Sequence, residues 1–387
     1  MSTIIKPLKL ISFTLLLSAL STTNSSFAQR YELVKIDSIK IDSFEPIQIT
    51  DYNYETKRFL AFGTGTKTLI EVDENGKKLS EANYLGEGPG HYSRGITELG
   101  YFGTQKIVNG PNVYFVYGDN WQYDFRMVYL TGGAFNPLSY IPGAPVVIES
   151  GGINKSVKAI SHTEFGRYEL KPDHFEKAPM LELVGPNDER RKIINYPKNS
   201  IYNTSPLYYD SHIPAFSYNR ASKRLVMALP LQSKVYYYNT NTWELEKEFS
   251  IELTDFKKPK GLPYEDQHKN SLRGFGPSNE KNYIYNLQNS KIIKISSYGE
   301  INMITHATGF KERASVDTYP KASKEFKEKG QTIISFWKGD QKLFETNEPF
   351  NRVVRAGEMQ FLTHVINEEE ELDYSLFYIY KLRPVDQ

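Results

Sequence analysis

The chain has 387 residues, 47 basic against 46 acidic, with 28 tyrosines, 22 phenylalanines and no cysteine. A near-neutral balance without a basic stripe argues against phosphate-backbone binding, so no nucleic-acid partner is expected. The absence of cysteine excludes disulfide frameworks, thiolate metal sites, cysteine nucleophiles and a lipid on an N-terminal cysteine.

In chain order, the first element reads as an export signal. Lys6 and Lys9 precede an apolar run from Leu10 to Leu20, and Ser26-Phe27-Ala28 closes the polar stretch after it on a small residue. This is the pattern of a secretory signal peptide over residues 1–28, cut after Ala28. The run falls short of the roughly 20 apolar residues that a bilayer requires, and no later stretch is apolar enough to span one. The expected location is periplasmic or extracellular, with no transmembrane segment in the mature chain.

From Gln29 onward, short apolar runs alternate with turn clusters. Tyr31 to Ile41 alternates loosely, and Arg58 to Phe62 and Thr68 to Asp73 are predicted strands flanking Gly63-Thr64-Gly65. Asp73-Glu74-Asn75-Gly76 is a hairpin turn, because Asn-Gly accepts the positive φ angles such turns need. Further strands are predicted at Val113 to Tyr117, Phe125 to Leu130, Val157 to Ser161, Met180 to Val184, Arg224 to Leu229, Lys234 to Asn239 and Trp243 to Ile251. The series continues through Tyr283 to Leu287, Lys291 to Ser296, Thr332 to Trp337, Lys342 to Glu345, Met359 to Ile366 and Tyr374 to Leu382. The aromatic load fits half-buried pleated surfaces, and no long segment has helical periodicity.

One unit occurs twice. Asp51-Tyr52-Asn53 with Lys57-Arg58 returns as Ser217-Tyr218-Asn219 with Lys223-Arg224, and Asp73 is matched by Asn239. The offset is 166 residues throughout. Strands in phase at such a distance indicate a repeat architecture. With four strands per blade, roughly 20 to 24 strands make five or six blades, and three blades of about 55 residues fill the offset. The expected fold is therefore all-β, a single propeller over 29–387, most simply six-bladed, with seven blades as the alternative. Two β-sandwiches would not place the same unit in phase at a multiple of one blade. Because propellers remove their open edge by closing the ring, Tyr31 to Ile41 is expected to join the blade of Tyr374 to Leu382.

Leu85-Gly86-Glu87-Gly88-Pro89-Gly90 followed by Tyr92 resembles a turn of secreted six-bladed propeller proteins of unknown function from Gram-negative bacteria, loosely similar to TolB-like and NHL-type propellers. That resemblance carries no catalytic residues. No helical pattern follows Gly90 and Pro89 removes a donor, so the turn reads as a connection between blades and not as a phosphate loop.

Functional candidates are sparse. His162, His212, His306 and His364 recur at blade-scale intervals and are the histidines best placed to gather at a channel, whereas His91, His174 and His268 follow no such spacing. The loop containing Asp119, Trp121, Tyr123 and Asp124 combines aromatic platforms with carboxylates, the mixture a sugar site uses. It is expected to be at least partly exposed beside the channel mouth. His268 and Arg273 lie in a basic irregular stretch from Phe256 to Phe275, which could rim a binding face. Pro320 to Gly330 reads as one or two turns of charged helix, and Glu368 to Glu371 as an exposed tip without calcium-loop spacing.

The sequence thus predicts a secreted or periplasmic binding module for a glycan, a peptide or an envelope protein partner. A propeller enzyme, a polysaccharide lyase or hydrolase, is the alternative, and an accessory subunit of an envelope complex is a third reading. No metal or cofactor is expected, and a monomer is.

Overall fold

A computed structural model describes residues 30–92, 98–110, 113–129, 145–150, 152–160, 174–204, 208, 212–261, 284, 287–309, 321, 323–324, 328, 330–365 and 373–385. The signal-peptide segment, His162, His268, Arg273 and Glu368 to Glu371 lie outside the described residues.

The strands form six four-stranded antiparallel sheets, the blades of a six-bladed propeller. Strand β1 (Tyr31–Asp42) is set apart from the strands that follow it by its pairing with the last strand of the chain. Blade 1 contains β2 (Ile47–Asn53), β3 (Arg58–Gly63), β4 (Leu69–Asp73) and β5 (Lys78–Ala82). Blade 2 contains β6 (Glu98–Phe102), β7 (Gln105–Gly110), β8 (Val113–Tyr117) and β9 (Tyr123–Val128). Blade 3 contains β10 (Val146–Ser150), β11 (Ile153–Ala159), β12 (Pro179–Val184) and β13 (Arg190–Asn195). Blade 4 contains β14 (Ala215–Asn219), β15 (Arg224–Ala228), β16 (Lys234–Asn239) and β17 (Leu245–Ser250). Blade 5 contains β18 (Lys291–Tyr298), β19 (Ile301–Ala307), β20 (Thr332–Lys338) and β21 (Gln341–Thr346). Blade 6 contains β22 (Asn351–Gly357), β23 (Gln360–Val365) and β24 (Tyr374–Pro384), with β1 as its outermost strand.

The first strands of successive blades touch one another, β2 with β6, β6 with β10, β10 with β14, β14 with β18, and β22 with β2. They are therefore the innermost strands, and they surround the central channel. The hydrophobic core is divided in the same way. Six clusters of buried side chains lie between adjacent blades, from Leu60, Leu99, Tyr117 and Trp121 between blades 1 and 2 to Ile301, Phe336, Phe361 and Leu382 between blades 5 and 6. Each blade buries both of its faces, which explains why many inner strands read as nearly continuous apolar runs.

Ring closure follows the expectation. Strand β1 pairs with β24 along its length, from Tyr31 opposite Pro384 to Asp42 opposite Tyr374, with one bulge near Lys35. The repeated units occupy equivalent places in blades 1 and 4. Asn53 is opposite Arg58 and Arg58 opposite Asp73, while Asn219 is opposite Arg224 and Arg224 opposite Asn239. The 166-residue offset is thus three blades.

One predicted strand is corrected. Within Tyr283 to Leu287, the described Ile284 and Leu287 are helical and not extended. The described residues 321, 323, 324 and 328 are helical, in agreement with the short charged helix. Gly90 has φ +73°, where a Cβ would run into the Tyr123 ring. This close approach requires glycine in the connection between blades 1 and 2. Tyr92 is fully buried beneath it, its hydroxyl donating to the Lys67 carbonyl at 2.8 Å.

Candidate functional site

The expected platform loop is structural at its centre. Trp121 joins β8 to β9 and is 1% exposed, wedged between the outer parts of blades 1 and 2. Its Nε1 donates to Ser80 Oγ at 3.0 Å, and Tyr84 OH donates to its carbonyl at 2.7 Å. The expectation of an exposed Trp121 is therefore corrected: the ring fills the blade interface because Ser80 and Tyr84 offer both the polar partner and the apolar wall it needs. Tyr123 is half-buried over Gly90 and edge-on to Tyr117. The Asp119 carbonyl accepts from Lys106 Nζ at 2.7 Å, and exposed Asp124 accepts from Gln105 Nε2 at 2.5 Å.

Beneath Trp121 lies an ionic cluster. Glu71 is 3.6 Å from both Lys106 Nζ and Arg58 Nη1, and Tyr101 OH donates to it at 3.2 Å. Burial lowers the Lys106 pKa, opposed by the Glu71 charge. The cluster ties blade 1 to blade 2 and offers no open position.

Among the described residues, His212, His306 and His364 do not assemble. His212 is buried near Phe175 between blades 3 and 4, and His364 stacks on Phe377 in blade 6. His306 Nε2 donates to the Thr254 carbonyl at 2.9 Å in blade 5, leaving Nδ1 buried without a hydrogen bond. Burial pushes the pKa of both His306 and His364 down. Among the described residues no group of three His, Asp or Glu side chains could hold a metal.

A different set of residues converges at the axis. It lies at the mouth where innermost strands turn into second strands. Asp51, near the end of β2, follows a bulge that shifts the register between Ile49 and Asp51. Its two oxygens accept the backbone N–H groups of Tyr52 and of Tyr101 in blade 2, each at 2.9 Å. Lys294 follows the matching bulge of β18, and its Nζ donates to the Val353 carbonyl in blade 6 at 2.7 Å. Both residues sit deep among protein atoms yet keep part of their surface accessible, as groups lining a narrow channel do. Burial raises the Asp51 pKa to about 6, against the opposing pull of the two N–H groups, Arg220 and Lys294. Burial lowers the Lys294 pKa, against the Asp51 charge.

Four more residues complete the mouth. Arg220, exposed on the β14–β15 turn of blade 4, acts electrostatically on Asp51 in blade 1, the blade opposite in a ring of six. Tyr54 on the β2–β3 turn stacks on Tyr298 at the end of β18, with centroids 4.3 Å apart and planes at 20°. Both rings are half-buried. Arg355 of blade 6 lies 5% exposed between them in the ring order, donating to the carbonyls of Ser296 at 3.1 Å and Gly357 at 2.5 Å and also to Glu358. Burial brings its pKa down to about 10. The mouth thus combines a stacked aromatic pair with cations and a carboxylate from blades 1, 4, 5 and 6. None of these was singled out in the sequence as a site residue. The repeat did mark the turns that carry Tyr54 and Arg220.

No protein-family profile matches the chain, and no curated protein matches it in sequence. Among solved structures, the chain resembles a DUF4221-family member from Bacteroides vulgatus, with TM-score 0.65 and 13% identity over 92% of this chain and 100% of the other. It also resembles a Bacteroides fragilis protein named "Putative exported protein", with TM-score 0.51 and 10% identity over 95% and 98% of the two chains. At such identities the likeness is one of fold.

Proposed function

We propose that the chain is an exported β-propeller binding module whose ligand docks at the channel mouth formed by Tyr54, Tyr298 and Arg220. The observation that carries this reading is the convergence of those side chains with Asp51 and Lys294 from three blades. Half-exposed aromatic faces beside directional polar groups are what a recognition site for a glycan or a peptide needs. Export is supported by the N-terminal pattern of residues 1–28. Among the described residues no helix is long and apolar enough to cross a membrane.

The test is a glycan and peptide binding screen of the full chain beside Tyr298→Ala. The variant is expected to lose at least about tenfold in affinity, or about 1.4 kcal/mol, with a thermal midpoint close to that of the parent. Unchanged affinity for every ligand the parent binds overturns the placement of the site.

A second reading, a propeller lyase or hydrolase, is favoured by one observation. A carboxyl with pKa about 6 beside a lysine and an arginine suits proton transfer near neutral pH. Turnover of a polysaccharide that is lost in Asp51→Asn, with binding retained, would support it over the binding reading.

A further inference from the structure

We infer that the channel mouth selects a small ring-bearing ligand through its carboxylate, received by Arg220 while the ring lies against the Tyr54–Tyr298 pair. This rests on the binding reading above and gives it a ligand class.

The guanidinium of Arg220 is the first support. It presents five N–H donors, and among the described residues it makes no hydrogen bond and no ion pair, although it is near enough to Asp51 and Tyr54 to act on both electrostatically. Its turn is held fixed from below. Asn219 Oδ1 accepts the Ser222 N–H at 3.2 Å, and Asn219 Nδ2 donates to Ser297 Oγ at 2.9 Å and to the Gly299 carbonyl at 2.8 Å. An arginine on a fixed turn with unused donors is suited to a planar carboxylate, which it can receive through two parallel hydrogen bonds.

The second support is the charge around it. The mouth carries Arg220, Lys294 and Arg355, with Asp51 facing Arg220 and Lys294, the exposed Glu149 on β10 acting on Tyr218 and the exposed Glu358 acting on Arg355. Asp51 does not neutralise Arg220 in a fixed pair, because its oxygens are held by the backbone of Tyr52 and Tyr101. Arg220 is thus left without a fixed counter-ion, open to a single external negative charge. A phosphate dianion would face these carboxylates across the same mouth and gain less.

The third support is adjacency. Arg220 and Tyr298 stand on turns of neighbouring blades 4 and 5, whose inner strands are joined by the Ser297 N–H donating to Ser217 Oγ at 3.1 Å. A carboxylate held at one turn and a ring at the next require a ligand that carries both groups, as a sugar acid does.

The experiment is titration calorimetry of the full chain at pH 7 and low salt with D-galacturonate, D-glucuronate, the neutral sugars galactose and glucose, and inorganic phosphate. At least one uronate is expected to bind about tenfold or more tightly than its neutral counterpart and than phosphate. Arg220→Gln is expected to erase that preference without moving the thermal midpoint, and Arg220→Lys to keep part of it. Binding of neither uronate, equal binding of neutral sugars, tighter binding of phosphate, or an unaffected Arg220→Gln overturns the inference. If a neutral glycan from the screen binds and is lost in Tyr298→Ala but not in Arg220→Gln, the site stands and the carboxylate preference falls. If a uronate binds and neither substitution matters, both fall.

Discussion

Asp51 is held ionised at neutral pH in a place that burial makes unfavourable, and that has a sign. Its pKa in the folded protein is about 6, above the ordinary value of 3.8. The folded state therefore binds more protons than the unfolded chain between about pH 4 and 6, and stability falls as pH rises through that window and stays lowered above it. A shift of roughly two units corresponds to about 3 kcal/mol at most, and the part of Asp51 that water reaches reduces this to about 1–3 kcal/mol. Comparing denaturant unfolding of the parent and Asp51→Asn at pH 4 and pH 7 isolates the effect. The stability difference is expected to move in favour of the variant by about that amount on going to pH 7, and a flat or opposite change refutes it. Trp121 belongs at the same scale and teaches the reverse lesson. A tryptophan among Asp119, Tyr123 and Asp124 has the composition of a sugar platform, but composition cannot say that Ser80 lies 3.0 Å from its indole nitrogen. Because the ring is buried, Trp121→Ala is expected to cost about 3–5 kcal/mol, read as a large drop in the unfolding midpoint. A stable variant would mean that the ring does not pack between the blades.

At the scale of elements, the repeated turn was the most legible feature, and its chemistry explains why. Asn53 Oδ1 accepts the N–H groups of Glu55 and Thr56, Asn219 Oδ1 that of Ser222, and Lys57 and Lys223 both take positive φ at 55° and 52°. Such turns are written in local sequence, so they repeat visibly. The two asparagines are nevertheless unequal, since only Asn219 also bonds across to Ser297 and Gly299 of blade 5. Asn53→Ala is expected to cost about 1 kcal/mol and Asn219→Ala about 2–3 kcal/mol, measured by chemical denaturation. Equal costs would show that the cross-blade bonds add nothing. Strands whose apolar pattern is weak escaped the sequence. Strand β13, Arg190–Asn195, is exposed at its first three residues, and β7, Gln105–Gly110, buries Lys106. The site escaped for a related reason: Asp51, Arg220, Lys294 and Tyr298 are up to 247 residues apart, and only the ring brings them together.

For the molecule as a whole, the repeat offset and the alternating terminal segments were sufficient to infer a closed propeller, because closure is the way an all-β ring without cysteines can cover its edges. The closing contact is extensive. Ile39 and Ile41 of β1 are buried in a core shared with Ile49 and Phe59 of blade 1 and Leu362 and Phe377 of blade 6. The Ser43 N–H donates to the Asp373 carbonyl at 2.9 Å, and the Ile47 N–H to Ser375 Oγ at 2.8 Å. Two fully buried isoleucines contribute about 3–6 kcal/mol, and the backbone pairing from Tyr31 to Asp42 adds several hydrogen bonds of about 1 kcal/mol each. Together these rival the roughly 5–15 kcal/mol that a folded domain has in total. A chain beginning at Ser43 would leave β24 as an unpaired edge and open the interface between blades 6 and 1. Since Asp51, Tyr54 and Arg355 flank that interface, the loss should reach the channel mouth as well as the closure. The shortened chain is therefore expected to lose its cooperative transition and its ligand binding together, measured by circular dichroism melting and by the same calorimetry. A shortened chain that melts at the parent temperature would show that the ring is held by its remaining interfaces without β1.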